Sequence, residues 1–224
     1  MNFKHEPIEV NYDLEAETSE TGRVYKTPDG EAYPSITTVL GKRTKKAILE
    51  WRKRVGEEEA NRVSRIATGK GTKVHQMAED FLNNDPVYTQ GFQEMPHIVE
   101  SWEALKPLLT ENVGVIRAQE IPLYSDELKV AGRVDLIAEW DGELSVVDFK
   151  TSKRIKDRSE ISNYFMQACA YALMLEERTG ICINKLVIAM VADGGFTKVF
   201  VENREDWIDK LIEEITYYYE HRYD

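Results

Sequence analysis

Two apolar, β-prone runs flank the dipeptide Asp141-Gly142: LKVAGRVDLIAEW before it and ELSVVDFKTS after it. Asp-Gly between such runs is a strong signal for a two-residue hairpin loop, because both central residues of that turn take positive φ. With those two residues as the loop, and no β-bulge to change it, the register is set. Trp140 faces Glu143, and counting outward sets Asp135 directly opposite Asp148, with Cβ atoms roughly 5 Å apart. Strand alternation puts Lys150 on the same face as both aspartates. The other face then reads Val130, Val134, Leu136, Ala138, Val147 and Phe149, and is expected to be core. Two like charges placed opposite each other repel, and a divalent cation between them reverses the sign of that interaction. Hard carboxylate oxygens suit magnesium, with manganese as a substitute.

The rest of the chain arranges itself around this hairpin. Residues 1–22 are acidic with little period and read as a loose arm. Residues 23–110 read as a hairpin and helical extension. Pro28-Asp29-Gly30 makes a turn, and helices are expected over 45–66 with Gly56 as a break, over 72–83 after Gly69 and Gly71, and over 96–109 with a break near Pro107. From about residue 115 the order becomes βββαββα, with a helix over 159–179 stopped by Gly180 and a closing helix over 203–221. The expected class is α/β (α+β): a central mixed β-sheet flanked by helices, its core at 111–224 forming one integrated domain with 23–110.

Hydrophobic residues make up 42% of the 224, enough to bury such a core. No apolar run reaches membrane-spanning length, and the first ten residues lack the apolar stretch of a secretory signal. A cytoplasmic location is therefore expected. Cys169 and Cys182 are read as buried, reduced thiols. Two cysteines cannot supply the four thiolates of an iron–sulfur cluster or a structural zinc.

The net charge of −11 argues against nucleic acid until its distribution is considered. Residues 42–73 carry eleven Lys/Arg against four Glu, a window of +7 that leaves −18 for the remainder. Such asymmetry can place a phosphate-binding surface on an acidic protein. Arg52, Lys53 and Arg54, then Lys70 and Lys73, are candidates to follow a phosphate backbone, as is Lys153 in a second basic run after Lys150. Arg133, opposite Lys150 in the register, is another. Trp51 and Tyr33 are candidates to stack on bases. Read alone, each basic run is a solvated helix face.

Several short motifs occur together. Gly132-Arg133-Val134-Asp135 and Asp148-Phe149-Lys150 are joined by Gln167 and Tyr171 in QACAY, by His75 in GTKVH and by Glu120 in QEIPL. Taken in chain order they resemble the PD-(D/E)xK nuclease superfamily, in its RecB-like branch without the iron–sulfur cysteines. The segment RVYKTPDGEAYPSITTVL and the Trp- and Lys/Arg-rich stretch after it resemble the mitochondrial genome maintenance exonuclease family and its phage relatives. The resemblance implies a restriction-endonuclease-like core. It also implies that His75, Glu120, Asp135, Asp148 and the Phe149 carbonyl hold the metal. By the same resemblance, Lys150 would orient or deprotonate the attacking water, and Gln167 and Tyr171 would position the lysine or the strand.

The expected activity is metal-dependent hydrolysis of DNA phosphodiester bonds by an exonuclease, on single strands or DNA ends, in replication, recombination or repair. The cytoplasm would be the host's if the chain is of phage origin, and a helicase or a replication or recombination protein is a possible partner. A structure-specific endonuclease for flaps or junctions, and a catalytically weak DNA-binding module on the same fold, are the alternatives.

Overall fold

The computed structural model describes residues 2–91 and 95–223. The chain begins with a three-stranded antiparallel sheet, β1 (Glu15–Ser19), β2 (Gly22–Lys26) and β3 (Ala32–Pro34). Four helices follow: α1 (Ile36–Leu40), α2 (Lys45–Val55), α3 (Glu57–Leu82) and α4 (Pro96–Asn112). Ser35 caps α1 by accepting the Thr38 amide at 3.1 Å, and Gly56, at φ +89°, breaks α2 from α3.

The second half is β4 (Val113–Ser125), β5 (Val130–Trp140), β6 (Glu143–Ser152), α5 (Ser162–Thr179), β7 (Lys185–Ala192), β8 (Phe196–Asn203) and α6 (Ile208–His221). The five strands lie side by side in chain order. All neighbours are antiparallel except β6 and β7, whose parallel pairing is made through the crossover helix α5. The sheet is therefore mixed and flanked by helices, as expected.

Asp141 and Gly142 take φ +53° and +79°, the turn anticipated from the sequence. The register runs outward as counted, Trp140↔Glu143 through Leu136↔Val147, and stops there. The next pair, Asp135 with Asp148, does not form. β5 remains bonded to β4 as far as Val130↔Ser125, and β6 to β7 as far as Ser152↔Ala192, so the two middle strands part at the aspartates. The β4–β5 ladder is also interrupted at this level. It holds Gln119↔Leu136 and Ile121↔Val134 without the pair between, and Glu120 sits at φ +49°.

The single apolar face expected for the hairpin is corrected accordingly, because both faces are covered. Val130 and Val134 join a cluster beneath α5 with Phe165, Ala168 and Ile188. Leu136, Ala138, Val147 and Phe149 join a cluster beneath α3 and α4 with Val74, Met77 and Trp102. Val134 and Leu136 share parity yet face opposite ways, so alternation along β5 slips at Asp135.

Three further expectations change. The arm at 1–22 is not loose in its described part. Phe3 is buried in the second cluster, and Lys4, Glu6 and Ile8 make backbone hydrogen bonds of 2.8–2.9 Å along β4. Gly69 and Gly71 do not interrupt α3, and α4 runs through Pro107 to Asn112. Cys182 is exposed, whereas Cys169 is buried. The small sheet joins the core through Tyr25, Tyr33, Tyr124 and Ala131. By contrast, α2 buries no residue at all, and Ile48 and Leu49 are about half exposed. No helix among the described residues is long and apolar enough to cross a membrane.

Candidate active site

Where β5 and β6 part, the backbone of β6 needs new partners. The Phe149 amide donates to Asp135 Oδ2 at 2.8 Å. The Phe149 carbonyl accepts from His75 Nε2 at 2.9 Å, which makes Nε2 the protonated ring nitrogen. His75 Nδ1 then lies 3.6 Å from Asp135 Oδ2. The histidine is carried on the half of α3 that buries Val74, Met77 and Ala78 against the sheet. Its position is therefore fixed by core packing. Ligand atoms of His75, Glu120 and Asp135 all lie within 4.8 Å of one another, and none of the three residues is fully buried.

Asp148 and Lys150 point to the α5 side. Asp148 is wholly buried, and Lys150 Nζ stands 2.5 Å from its Oδ2. Neither carboxylate oxygen has an aligned hydrogen bond among the described residues. Lys150 Nζ donates to Gln167 Oε1 at 3.2 Å, and Gln167 Nε2 donates to the Tyr171 hydroxyl at 3.2 Å. Gln167 and Tyr171, one turn apart on α5, thus tether the lysine. Gly132 is there to admit Tyr171, since a Cβ at that position would meet the ring at 2.7 Å.

The electrostatics follow from burial. Burial lifts the Asp148 carboxyl to about 6, with Asp135 adding to the rise and Lys150 opposing it. Burial, then Asp135 and Glu79, lift Glu120 to about 7. Burial acts to lower Lys150, but Asp148 and Asp135 outweigh it and hold the ammonium form. Burial keeps Tyr171 well above the ordinary phenol range, so it acts as a neutral hydrogen-bonding group. Raised pKa values at Asp148 and Glu120, with Asp135 adding to both, mark a place where one lysine only partly offsets the negative charge. Carboxylates and the Phe149 carbonyl, joined by one imidazole, are a donor set that fits a divalent metal ion.

The profile of the PD-(D/E)XK nuclease superfamily matches residues 46–220, most of the chain. The chain belongs to the PD-(D/E)XK nuclease superfamily. Mitochondrial genome maintenance exonuclease 1 of Mus musculus is 30% identical over 131 residues, which are 55% of this chain and 38% of that protein. The chain thus spans well under two thirds of that relative. A solved structure of a candidate exonuclease from Eubacterium rectale superimposes with a TM-score of 0.50 at 10% identity, covering 70% of this chain and 65% of that one. At that identity the likeness is one of fold.

In this PD-(D/E)XK nuclease the basic residues singled out from the sequence have unequal freedom. Lys70 is buried and paired with Asp193 at 2.5 Å, so it is not available to a phosphate. Lys73 Nζ lies 3.2 Å from Met95 Sδ. Arg52 is bound to Glu57 and Asn61, each at 2.6 Å. Arg133 donates to the Glu120 carbonyl. Lys53, Arg54 and Lys153 are exposed. Tyr33 is buried and donates to Asp126 at 2.9 Å, which removes it as a stacking platform, while Trp51 is half-buried.

Two further residues belong to the site. Glu79, one turn after His75 on the same side of α3, reads from the sequence as structural, and here its charge raises Glu120. Tyr164 carries Lys150 Nζ at 4.9 Å over its ring, and nothing in the sequence marks it.

Proposed function

We propose that this chain is a metal-dependent DNA exonuclease acting on single strands or DNA ends. The observation that carries the reading is the buried Asp148–Lys150 pair set beside the His75, Glu120 and Asp135 group where β5 and β6 part. His75, Glu120, Asp135, Asp148 and the Phe149 carbonyl would hold a divalent cation. When bound, such an ion polarises a phosphate oxygen and makes water a better nucleophile. Lys150, kept protonated and aimed by Asp148 and Gln167, orients the attacking water and offsets charge growing on the phosphate. Gln167 and Tyr171 limit how far the ammonium can swing. Water adds across the P–O3′ bond: its hydroxyl goes to phosphorus and a proton ends on the 3′ oxygen, leaving a 5′-phosphate and a 3′-hydroxyl.

The choice of DNA and of ends follows the likeness to the mouse genome maintenance exonuclease, and replication, recombination or repair is the setting in which such ends arise. The test is digestion of end-labelled single-stranded, duplex and closed circular DNA with magnesium and with EDTA. Linear strands should be degraded only with the metal, and Asp148→Ala and Lys150→Ala should abolish this in folded protein. Closed circles cut as fast as linear strands would make the enzyme an endonuclease. Cleavage at the wild-type rate in both variants would remove the assignment of the centre.

A further inference from the structure

Beside Lys150 stands a second cation, Lys156, that makes no ion pair among the described residues, although Glu160 nearby feels its charge. Lys156, between β6 and α5, donates from Nζ to the phenolic oxygen of Tyr164 at 2.9 Å. The same Nζ lies 5.1 Å from the centroid of the Tyr164 ring, and Lys150 Nζ lies 4.9 Å from it. One half-buried ring in the first turn of α5 therefore serves two ammonium groups, and cation–π attraction offsets part of the repulsion between them.

These residues line a groove of about 620 Å³ with Arg43, Asn163, Glu160 and Gln167. Its other charges are committed. Arg43 reaches Glu214 at 2.7 Å and Glu213 at 3.3 Å, with its guanidinium 3.8 Å over the Tyr217 ring. Glu160 accepts from Arg154 at 2.9 Å, and Lys150 has Asp148. Among the described residues, Lys156 is the cation of this groove without an ion pair. The first turn of α5 has no acidic side chain to quench it. A cation positioned by a neutral partner in an open groove retains its charge for an incoming anion.

We propose that this groove is a second phosphate subsite, in which Lys156, positioned by Tyr164, binds a phosphate neighbouring the one that is cleaved. The proposal rests on the reading of Asp148 and Lys150 as the hydrolytic centre. A polynucleotide is the ligand class that satisfies it, since a strand seated at Lys150 brings a further phosphate within reach of the same groove. Tyr164 is a positioning residue: its ring lies near both ammonium groups, and its hydroxyl fixes the second.

The test is binding of a fluorescent single-stranded oligonucleotide in EDTA, measured by anisotropy over a salt series. Lys156→Ala should weaken binding about tenfold, the loss of one charge-assisted contact. It should also make the slope of log K against log salt shallower by about 0.7, the value for one phosphate on a single strand. Lys156→Arg should restore both, and Lys156→Gln gives the same reading should the alanine variant fail to fold. Tyr164→Leu should reproduce the loss, and Tyr164→Phe, which keeps the ring but removes the hydroxyl that holds Lys156, should recover only part of it. A salt slope unchanged in folded Lys156→Ala, or lost equally in Lys156→Arg, would overturn the subsite. Cleavage of the same oligonucleotide with magnesium reports separately on the hydrolytic centre: activity surviving Asp148→Ala would overturn that centre, not the subsite.

Discussion

Burial raises Asp148 from 3.8 to about 6 and Glu120 from 4.5 to about 7. A carboxyl whose folded pKa lies above its unfolded value binds its proton more tightly in the folded chain. Its contribution to stability is therefore greatest below the unfolded pKa and is lost as pH rises through the folded one. A divalent cation needs the ionised forms. Affinity for magnesium or manganese, read by titration calorimetry, should thus fall as pH is lowered from 8 through 7 and 6. An affinity flat across that range would separate these acids from the cation. The same logic applies to Lys150. Lys150→Ala leaves Asp148 buried without its counter-charge, which should cost about 3–5 kcal/mol at pH 8. At pH 5 Asp148 can take up a proton, so the loss should shrink. Urea denaturation at both pH values measures this, and an equal loss at each would mean that Asp148 is not the group left uncompensated.

Between elements, the tightest constraint is β5 against α5. Gly132→Ala places a Cβ 2.7 Å from the Tyr171 ring, so ring, Gln167 and Lys150 must shift together. We expect a stability loss of about 1–3 kcal/mol from overpacking and a fall in kcat of at least tenfold, since misplacement of a catalytic group is costly. Wild-type kcat in this variant would show that the tether does not act. The hairpin was legible in the sequence because turn chemistry alone sets its register. Its opening at Asp135 was not, because β4 and β7 decide it by holding β5 and β6 apart, and neither pairing shows in the motif. The continuity of α3 was hidden for a similar reason. Gly69 and Gly71 each cost about 1 kcal/mol in a helix, and packing of Val74, Met77 and Leu82 offsets it. Asp135, Asp148, Lys150, Gln167 and Tyr171 could be read as a set by resemblance. Lys156 and Tyr164 could not, because their meeting depends on the path from β6 into α5. The pairing of Lys70 with Asp193 joins residues 123 positions apart, which no local pattern reports.

For the whole molecule, charge and burial divide along the same line. The chain is −11 overall, yet α2 presents Lys53 and Arg54 to solvent and has no fully buried residue. An element with no buried residue adds little to global stability, and its amides should exchange far faster than those of β6. Replacing Lys53 and Arg54 by alanine should leave the melting temperature within a degree or two while weakening oligonucleotide binding and its salt dependence. Binding unchanged by the pair would place the strand elsewhere. At the opposite extreme, Phe3 sits in the core with α3 and α4, so the first described residues are part of the folding unit. The parting of β5 and β6 gives this architecture an edge in the middle of a sheet. An open strand edge ordinarily recruits another strand. Here the freed amide and carbonyl of Phe149 are stoppered by a carboxylate from β5 and an imidazole from α3. The gap is thereby closed to a sixth strand and left open to anything small enough to take the place of a stopper.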